Sequence, residues 1–281
     1  MSLDVHPPLA AVRDVVARAL AEDVLPLGDL SASLVPAHVR ARACFVSRGE
    51  GVLAGRLSAA EVFAQVDGDL KVDWHLDDGD TVTPRTAIGV VGGPLCSILT
   101  AERTALNLLA HLSGVASLTR SYVRAVAGTG TRILDTRKTT PGLRALEKAA
   151  VRAGGGHNHR GNLADFVLVK DNHLAGVSIG EAVRGARAKW PMRMVEVECD
   201  RLDQVSEALA AGAGAVLLDN MTPDAVATCV AEVGGRIPVE VSGGVTLHTV
   251  RAYAGAGADF ISVGALTASA PAFDIGLDLE S

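Results

Sequence analysis

The second half of the chain alternates short apolar runs with segments of helical periodicity. Six runs rich in aliphatic or β-branched residues appear in order: Arg132–Leu134, Phe166–Val169, Met194–Val197, Ala215–Leu218, Pro238–Val241 and Phe260–Val263. Strands that alternate with helices at this spacing form βαβ units and a parallel sheet. Because so many units follow one another, the pattern favours a barrel over an open sheet. The sequence therefore predicts an α/β barrel domain over residues 114–269.

The first part of the chain has a different pattern. It predicts an amphipathic helix over Leu9–Glu22, followed by alternating segments that are separated by Gly and Asp turns. These segments are Arg42–Val46, Gly51–Leu53, Leu70–His75 and Ala87–Val91. They indicate antiparallel strands in a small α+β domain over residues 1–113. Weak alternation in the tail, residues 270–281, predicts a last strand that joins this first domain.

Two basic features lie on helices predicted between these regions. Thr100 resembles an N-cap, and the helix behind it is expected to end near Gly114, which places Arg103 in the first turn. The helix dipole disfavours a cation there, which hints at an anion near Arg103, although a solvated arginine explains the position equally well. The next helix carries an i, i+4 stripe that we interpret as a mainly solvated face: Arg144, Lys148 and Arg152.

Composition and charge narrow the class of protein. The formal net charge of −6 argues against a nucleic-acid partner. No apolar run approaches the roughly twenty residues that span a bilayer, and Met1–Pro8 lacks the pattern of a secretion leader. The cysteines have no C-x-x-C spacing, so free thiols are expected rather than a zinc site: Cys44, Cys96, Cys199 and Cys229. A soluble cytoplasmic protein without a membrane partner is expected.

Charged residues or glycine follow every one of the six apolar runs. The segments are Asp135-Thr136-Arg137-Lys138, Lys170-Asp171-Asn172-His173, Glu198, Asp219-Asn220, Ser242-Gly243-Gly244 and Gly264-Ala265. In α/β barrels the active site gathers at the carboxyl ends of the strands. A charged residue is common wherever a single strand meets solvent, but six such ends in succession predict a polar pocket.

Five cations belong to the first two of these strand ends and the segment between them: Arg137, Lys138, His159, Arg160 and Lys170. Clustered cations repel one another and need anionic partners. An ion pair at 4 Å contributes about 4 kcal/mol at an effective dielectric constant near 20, before desolvation is counted. Arginine suits planar carboxylates because its donors form a fork. The cluster predicts a small ligand with several negative groups.

The last two strand ends have the composition of phosphate loops. Ser242-Gly243-Gly244 is expected to lead into a helix from about Leu247 to Ala254, and Val263-Gly264-Ala265 into another helix. Glycine lets backbone N–H groups approach a phosphate, and a helix start favours negative charge. Barrels commonly hold a phosphate between their final two loops. Phosphate binding is therefore predicted at these two ends.

Glu198 and Asp219 follow neighbouring runs between the cations and the glycine loops. They could hold Mg²⁺ directly or through water, or accept hydrogen bonds from ribose hydroxyls. The alternative is a pair of structural carboxylates matched to nearby lysines.

Taken together, these motifs resemble the quinolinate phosphoribosyltransferase family. The resemblance covers nearly the whole chain and is densest in segments that occur in the family's order. They are Thr100–Thr104, Leu112–Gly114, Asp135–Thr139, Pro141–Arg144, Gly154–Arg160, Lys170–His173, Leu218–Met221, Ser242–Val245 and Ser262–Thr267.

The resemblance implies an incomplete α/β barrel behind an N-terminal, sandwich-like α+β domain. It implies a homodimer in which Arg103 acts across the interface, and a reaction of quinolinate with phosphoribosyl pyrophosphate and Mg²⁺ that yields nicotinate mononucleotide, pyrophosphate and CO₂. Catalytic roles fall to Lys138, Lys170, Glu198 and Asp219, of which the two carboxylates face ribose and Mg²⁺. Substrate binding falls to these four and to Arg103, Thr136, Arg137, His159, Arg160, Ser242, Gly243, Gly244, Val263, Gly264 and Ala265.

Two departures from the family pattern and several alternatives stay open. Ala268 stands where many relatives carry His, and Gly161-Asn162 replaces a more usual apolar-Gly pair. A related branch linked to molybdenum transport genes shares the fold but tends to lose the string that stands here as Lys170–His173, so its presence favours quinolinate. Other readings are a Schiff-base phosphosugar aldolase with Lys170 as nucleophile, a phosphoribosyltransferase acting on a different pyridine or polyanion, and a non-catalytic sensor.

Overall fold

The computed structural model describes residues 5–280. Residues 1–4 of the segment predicted to lack a leader, and Ser281 at the end of the predicted tail, lie outside the described part. The helices are α1 (Leu9–Val24), α2 (Arg56–Val66), α3 (Leu95–Ala125), α4 (Arg144–Ala153), α5 (Ile179–Lys189), α6 (Leu202–Ala211), α7 (Pro223–Val233), α8 (Val250–Gly255) and α9 (Ala265–Ala268). The strands are β1 (Arg40–Ser47), β2 (Gly51–Val52), β3 (Lys71–Trp74), β4 (Thr81–Val82), β5 (Ala87–Pro94), β6 (Arg132–Leu134), β7 (Val167–Val169), β8 (Val195–Cys199), β9 (Ala215–Asp219), β10 (Val239–Ser242), β11 (Phe260–Ser262) and β12 (Ile275–Leu279).

The chain divides into two compact units. Unit 1 comprises Met1–Arg120, Thr139–Gly155 and Ala265–Ser281, and unit 2 comprises Ser121–Lys138 and Gly156–Gly264. The division that the sequence predicts between residues 113 and 114 stays a prediction, and it falls inside α3.

Unit 1 is built on an antiparallel sheet with the order β12-β1-β5-β3. The alternating segments of the first part form strands at the predicted places, and the short β4, which pairs with β2, was not predicted. The tail strand β12 pairs with β1, with Phe45 opposite Leu277. Phe45 anchors the core of this unit, because its ring stacks on Trp74 at 5.1 Å and meets Phe63 edge-on at 5.8 Å.

Helix α3 begins at Leu95, directly after β5, and continues through Gly114 to Ala125. The predicted N-cap at Thr100 and the predicted end near Gly114 are therefore wrong. The Thr100 hydroxyl lies inside the helix and donates to the Cys96 carbonyl at 3.0 Å, an i−4 bond that Thr makes in helix interiors. Arg103 is exposed on this helix but is not in its first turn, so the dipole argument for a nearby anion no longer applies.

Position 114, in the interior of α3, is occupied by glycine because another part of the chain passes close to it. A Cβ at this position would overlap the Pro271 carbonyl oxygen and lie 3.1 Å from the Pro271 carbonyl carbon. Gly185, in α5, is the matched case, since a Cβ there meets none of the described residues within 4 Å.

We expect Gly114→Ala to lower the free energy of unfolding by about 1–3 kcal/mol, because the neighbour is backbone and cannot rotate away. Gly185→Ala should raise it by about 0.5–1 kcal/mol through helix propensity alone. Urea unfolding of the two variants measures both changes. Equal changes of the same sign would contradict the packing explanation for Gly114.

The basic stripe on α4 is not a solvated face, so this prediction is wrong. Lys148 is only 6% exposed. Arg152 donates to the His6 carbonyl at 2.9 Å, and Arg144 donates to the Thr139 hydroxyl at 2.9 Å. The cause is tertiary packing within unit 1, which buries α4 continuously from Leu146 to Val151.

Unit 2 contains a parallel six-stranded sheet with the order β6-β11-β10-β9-β8-β7. Its strands are the six predicted apolar runs, which confirms the α/β class and the incomplete barrel. The strands are buried on both faces and consist mainly of Val, Leu and Ile, as expected for parallel strands covered by helices. β6 and β7 end the strand order, and His157 adds an isolated parallel bridge to Leu134 of β6. None of the described helices is both long and apolar enough to cross a membrane.

Candidate active site

The parallel sheet of unit 2 brings the polar strand ends to one edge, because all six strands run in the same direction. Asp219 is opposite Ser242 in the pairing of β9 with β10. The predicted residues in unit 2 are Thr136, Arg137, Lys138, His159, Arg160, Lys170, Glu198, Asp219, Ser242, Gly243, Gly244, Val263 and Gly264. Arg103, on α3, and Ala265, the first residue of α9, belong to unit 1.

Lys170 and Glu198, at the ends of the adjacent strands β7 and β8, form an ion pair between Nζ and Oε2. Their side chains are 39% and 16% exposed. The Lys170 backbone N–H donates to the His173 ring at 3.0 Å, so the Lys170–His173 string closes a short turn. A Schiff-base lysine has to present its amine to a carbonyl, whereas Nζ of Lys170 is engaged by the Glu198 carboxylate, which argues against the aldolase alternative.

Beneath this edge, His159 is held between two buried carboxylates that the sequence reasoning missed. Its Nε2 lies 3.2 Å from Glu196 Oε2 and 3.4 Å from Glu240 Oε2. Burial alone lowers the pKa of His159, but the hydrogen bonds and charges of Glu196 and Glu240 outweigh it and raise the pKa to about 9. His159 is therefore an imidazolium at neutral pH.

The three side chains lie close enough to one another to suggest metal ligands. A protonated imidazole has no lone pair for a metal, however, and Nε2 is already the donor to both carboxylates. We therefore interpret His159, Glu196 and Glu240 as a buried ion-pair layer beneath the polar strand ends. The sequence pattern that indicates this layer is a charged or polar residue at every second position of β8 and β10, in Val195-Glu196-Val197-Glu198 and Val239-Glu240-Val241-Ser242.

A fourth carboxylate, Asp135, fixes the segment that carries His159 and Arg160. Asp135 is fully buried and accepts hydrogen bonds from Asn158 Nδ2 at 2.6 Å and from the His159 backbone N–H at 2.9 Å. Asp135 was predicted as part of the polar edge, but its position is structural.

Arg137 and Arg160 are the two arginines among the predicted strand-end cations. Burial and then the charge of Arg137 lower the pKa of Arg160, and the charges of Glu196 and Asp165 act in the opposite direction. Arg137 Nε is buried and has no hydrogen-bond partner among the described residues. An unmatched buried donor costs about 1–3 kcal/mol. An anionic ligand at this point would satisfy Arg137 and relieve the repulsion.

Lys138 lies against the glycine loop that follows β11. A Cβ on Gly264 would be 2.8 Å from Lys138 Cδ and 3.6 Å from the Thr136 hydroxyl. The Thr136 hydroxyl also accepts a hydrogen bond from the Lys138 backbone N–H at 3.0 Å. Gly264 is therefore required for the close approach of the β6 end to the β11 end.

The loop after β10 differs from its prediction in one respect. The helix that follows begins at Val250, not near Leu247, and it is only six residues long. The Thr249 hydroxyl accepts a hydrogen bond from the Thr246 backbone N–H at 2.9 Å, which forms a separate turn before the helix. A helix start immediately behind the loop is thus absent from the described structure. Gly243 and Gly244 still have left-handed φ values of +89° and +61°, as the predicted glycine loop requires.

The unusual pair Gly161-Asn162 forms a closed turn. The Asp165 carboxylate accepts hydrogen bonds from the Gly161 backbone N–H at 2.7 Å and from Asn162 Nδ2 at 2.8 Å. The pair is accommodated locally, and it removes none of the cations described above.

The fold and the site define a class: an incomplete α/β barrel whose strand ends carry a group of cationic side chains, together with glycine loops. Residues 115–278 match the family model described as quinolinate phosphoribosyl transferase, C-terminal domain, and residues 23–113 match the corresponding N-terminal domain. The chain belongs to the quinolinate phosphoribosyltransferase family.

Individual relatives agree with this assignment. The carboxylating nicotinate-nucleotide pyrophosphorylase of Mycobacterium leprae is 44% identical over 278 residues, which cover 96% of this chain and 97% of the relative. The chloroplastic enzyme of the same name from Arabidopsis thaliana is 37% identical over 305 residues, covering 100% of this chain and 87% of the relative. The solved structure of the nicotinate-nucleotide pyrophosphorylase from Francisella tularensis superposes with a TM-score of 0.94 at 38% identity, covering 99% of both chains.

Proposed function

We propose that this protein transfers the phosphoribosyl group of phosphoribosyl pyrophosphate to quinolinate and releases pyrophosphate and CO₂, giving nicotinate mononucleotide for NAD biosynthesis. The relatives named above are called carboxylating nicotinate-nucleotide pyrophosphorylases. That name describes the same reaction by its product, a nicotinate nucleotide. The observation that carries the proposal to the site is the buried Nε of Arg137, which has no hydrogen-bond partner among the described residues, and the like charge of Arg137 also acts on Arg160. A pyridine with two carboxylates supplies the planar negative groups that such a pair binds.

Each strand end has a proposed partner on the substrates. Arg137 and Arg160 hold the carboxylates of quinolinate, while Lys138 and Lys170 face the carboxylates and the pyrophosphate. His159 is proposed to act mainly as part of the buried layer beneath these residues, and not through substrate contact alone. The reason is that its Nε2 is turned toward Glu196 and Glu240. The glycine loops after β10 and β11 receive the 5′-phosphate through backbone N–H groups.

Mg²⁺ fits the chemistry of the carboxylates at the ends of β8 and β9. Oxygen ligands are those Mg²⁺ prefers, and it usually keeps several waters and shares substrate phosphates. Glu198 and Asp219 would hold it, directly or through water, and the ion would offset the charge of the departing pyrophosphate.

Residues of this chain are proposed to act at each step of the reaction. The pyridine nitrogen forms a bond to the anomeric carbon as the bond to pyrophosphate breaks, and positive charge develops on the ribose. Lys138 and Lys170 stabilise the departing pyrophosphate, and Glu198 and Asp219 stabilise the positive ribose. The positive ring nitrogen then draws the electrons of the adjacent C–CO₂⁻ bond, CO₂ leaves, and the electron pair left on the ring carbon takes up a proton from solvent water. No covalent link to the protein is needed.

A homodimer is proposed in which Arg103 enters the partner's site. Arg103 is exposed on α3 and belongs to a different unit from the strand-end cations. A cytoplasmic location stays a prediction from the sequence.

The proposal is tested by incubating the purified protein with quinolinate, phosphoribosyl pyrophosphate and Mg²⁺. Formation of nicotinate mononucleotide is expected, and omission of any one component should abolish it. The aldolase alternative predicts instead a borohydride-trapped adduct on Lys170 with a keto-sugar phosphate.

A further inference from the structure

Asn220, the residue after Asp219, has an unusual backbone conformation. Its φ is 56°, and among the described residues only Arg85 and Asn220 combine a side chain with a left-handed φ. Asparagine tolerates this region better than most residues because its short amide forms local hydrogen bonds.

The amide of Asn220 is turned back onto its neighbour. Its Nδ2 donates to Asp219 Oδ2 at 2.6 Å, and its backbone N–H donates to the Ser242 carbonyl at 3.0 Å. The backbone bond anchors the turn to the end of β10, and the side-chain bond restrains the Asp219 carboxylate. Both contacts lie at the end of the strand, where the chemistry is proposed.

Gly243 provides the room for this arrangement. A Cβ on Gly243 would overlap Asn220 Oδ1 and would lie 2.7 Å from its Cγ and 2.8 Å from its backbone nitrogen. The requirement for glycine at the first position of the Gly243-Gly244 pair thus has a reason besides phosphate binding, because a larger residue would displace Asn220.

We propose that Asn220 is a positioning residue that holds the Asp219 carboxylate in the orientation required for the reaction. This inference rests on the proposed function, which places Asp219 at the ribose and Mg²⁺. A carboxylate on a strand end can rotate about its side-chain bonds, and the hydrogen bond from the Asn220 amide restrains that rotation. Residues that orient a functional carboxylate in this way typically change activity or metal affinity by 10–100-fold when they are lost.

The test is Asn220→Gly, measured by steady-state kinetics with quinolinate. Glycine adopts the left-handed conformation without strain and keeps the backbone bond to Ser242, so only the amide is removed. We expect kcat to fall about 10–100-fold, with little change in the KM for quinolinate and no loss of thermal stability. Asn220→Asp keeps the shape but replaces the donor with a second negative charge, and should reduce kcat at least as far.

Arg85→Gly is the matched control, because Arg85 has a φ of 72° but lies in unit 1 outside the proposed site. It should leave kcat and KM unchanged. Wild-type kcat in Asn220→Gly would overturn the inference, and so would a fall in kcat that is accompanied by a clear loss of thermal stability, which indicates a structural role. Wild-type protein that makes no product in the same assay would instead overturn the proposed function, and this inference with it.

Discussion

Replacing Lys170 with Ala is expected to lower kcat/KM for quinolinate by at least about 100-fold, which corresponds to about 3 kcal/mol of transition-state stabilisation. Lys170 is the cation at the end of β7, and its ion pair with Glu198 places both groups where charge is proposed to develop. Without Lys170, the largely buried carboxylate of Glu198 has lost its cation. Lys189→Ala, which removes an exposed lysine at the end of α5, should leave kcat/KM unchanged.

The same variant tests the assignment of Arg103 to a neighbouring subunit. Arg103→Ala is expected to be impaired to a similar degree. After subunit exchange, an equal mixture of the two variants should recover about one quarter of the wild-type activity, since half of the dimers are mixed and each mixed dimer has one intact site. A mixture as inactive as its components would contradict a site shared between subunits.

Replacing His159 with Leu is expected to lower the free energy of unfolding by about 3–5 kcal/mol, because a buried carboxylate pair is left without its cation. Glu196 and Glu240 are 2% and 4% exposed, so water cannot replace the imidazolium. Glu240 Oε1 already has no hydrogen-bond partner among the described residues. Urea unfolding measures the loss, and His75→Leu, at an exposed position, should change stability by less than about 0.5 kcal/mol.

The raised pKa of His159 also predicts how stability depends on pH. The pKa is raised from 6.5 to about 9 in the folded protein, so the stabilisation is complete below pH 6.5 and is lost as the pH rises through about 9. The wild type should lose about 3 kcal/mol from this group across that range. An NMR titration of the ring should show a pKa near 9. A ring that titrates near 6.5, with unfolding free energies equal at both ends of the range, would contradict the ion-pair layer.

The barrel and most of its polar edge could be predicted because each buried parallel strand appears in the sequence as a continuous apolar run. A run of Val, Leu and Ile has to end before a charged residue can reach solvent, and all six ends share one edge. The residues that follow the runs, such as Lys170 and Asp219, were therefore found without any knowledge of the structure.

Glu196 and Glu240 were not predicted, because the pattern used for the site considers only the residues that follow each apolar run. These two carboxylates lie within the strands. A carboxylate between two valines is costly unless a cation meets it. That cation, His159, comes from a segment far away in the sequence. The pairing depends on the topology of the sheet, which the local pattern does not contain.

The errors on α3 and α4 have a related cause. Thr100 carries the composition of an N-cap, but the strand before it runs straight into the helix, and the hydroxyl bonds within the helix instead. Gly114 looks like a terminator, yet it is a contact point for the chain at Pro271. Lys148 looks solvated by its spacing, and packing within unit 1 buries it.

The central claim is tested most directly with quinolinate that carries ¹³C in the carboxyl group next to the ring nitrogen. In the presence of phosphoribosyl pyrophosphate and Mg²⁺, we predict equal amounts of labelled CO₂, pyrophosphate and unlabelled nicotinate mononucleotide, and no product when nicotinate replaces quinolinate. Product from nicotinate without release of CO₂, or no product from either pyridine, would contradict the account and leave the cationic pocket to a different polyanion.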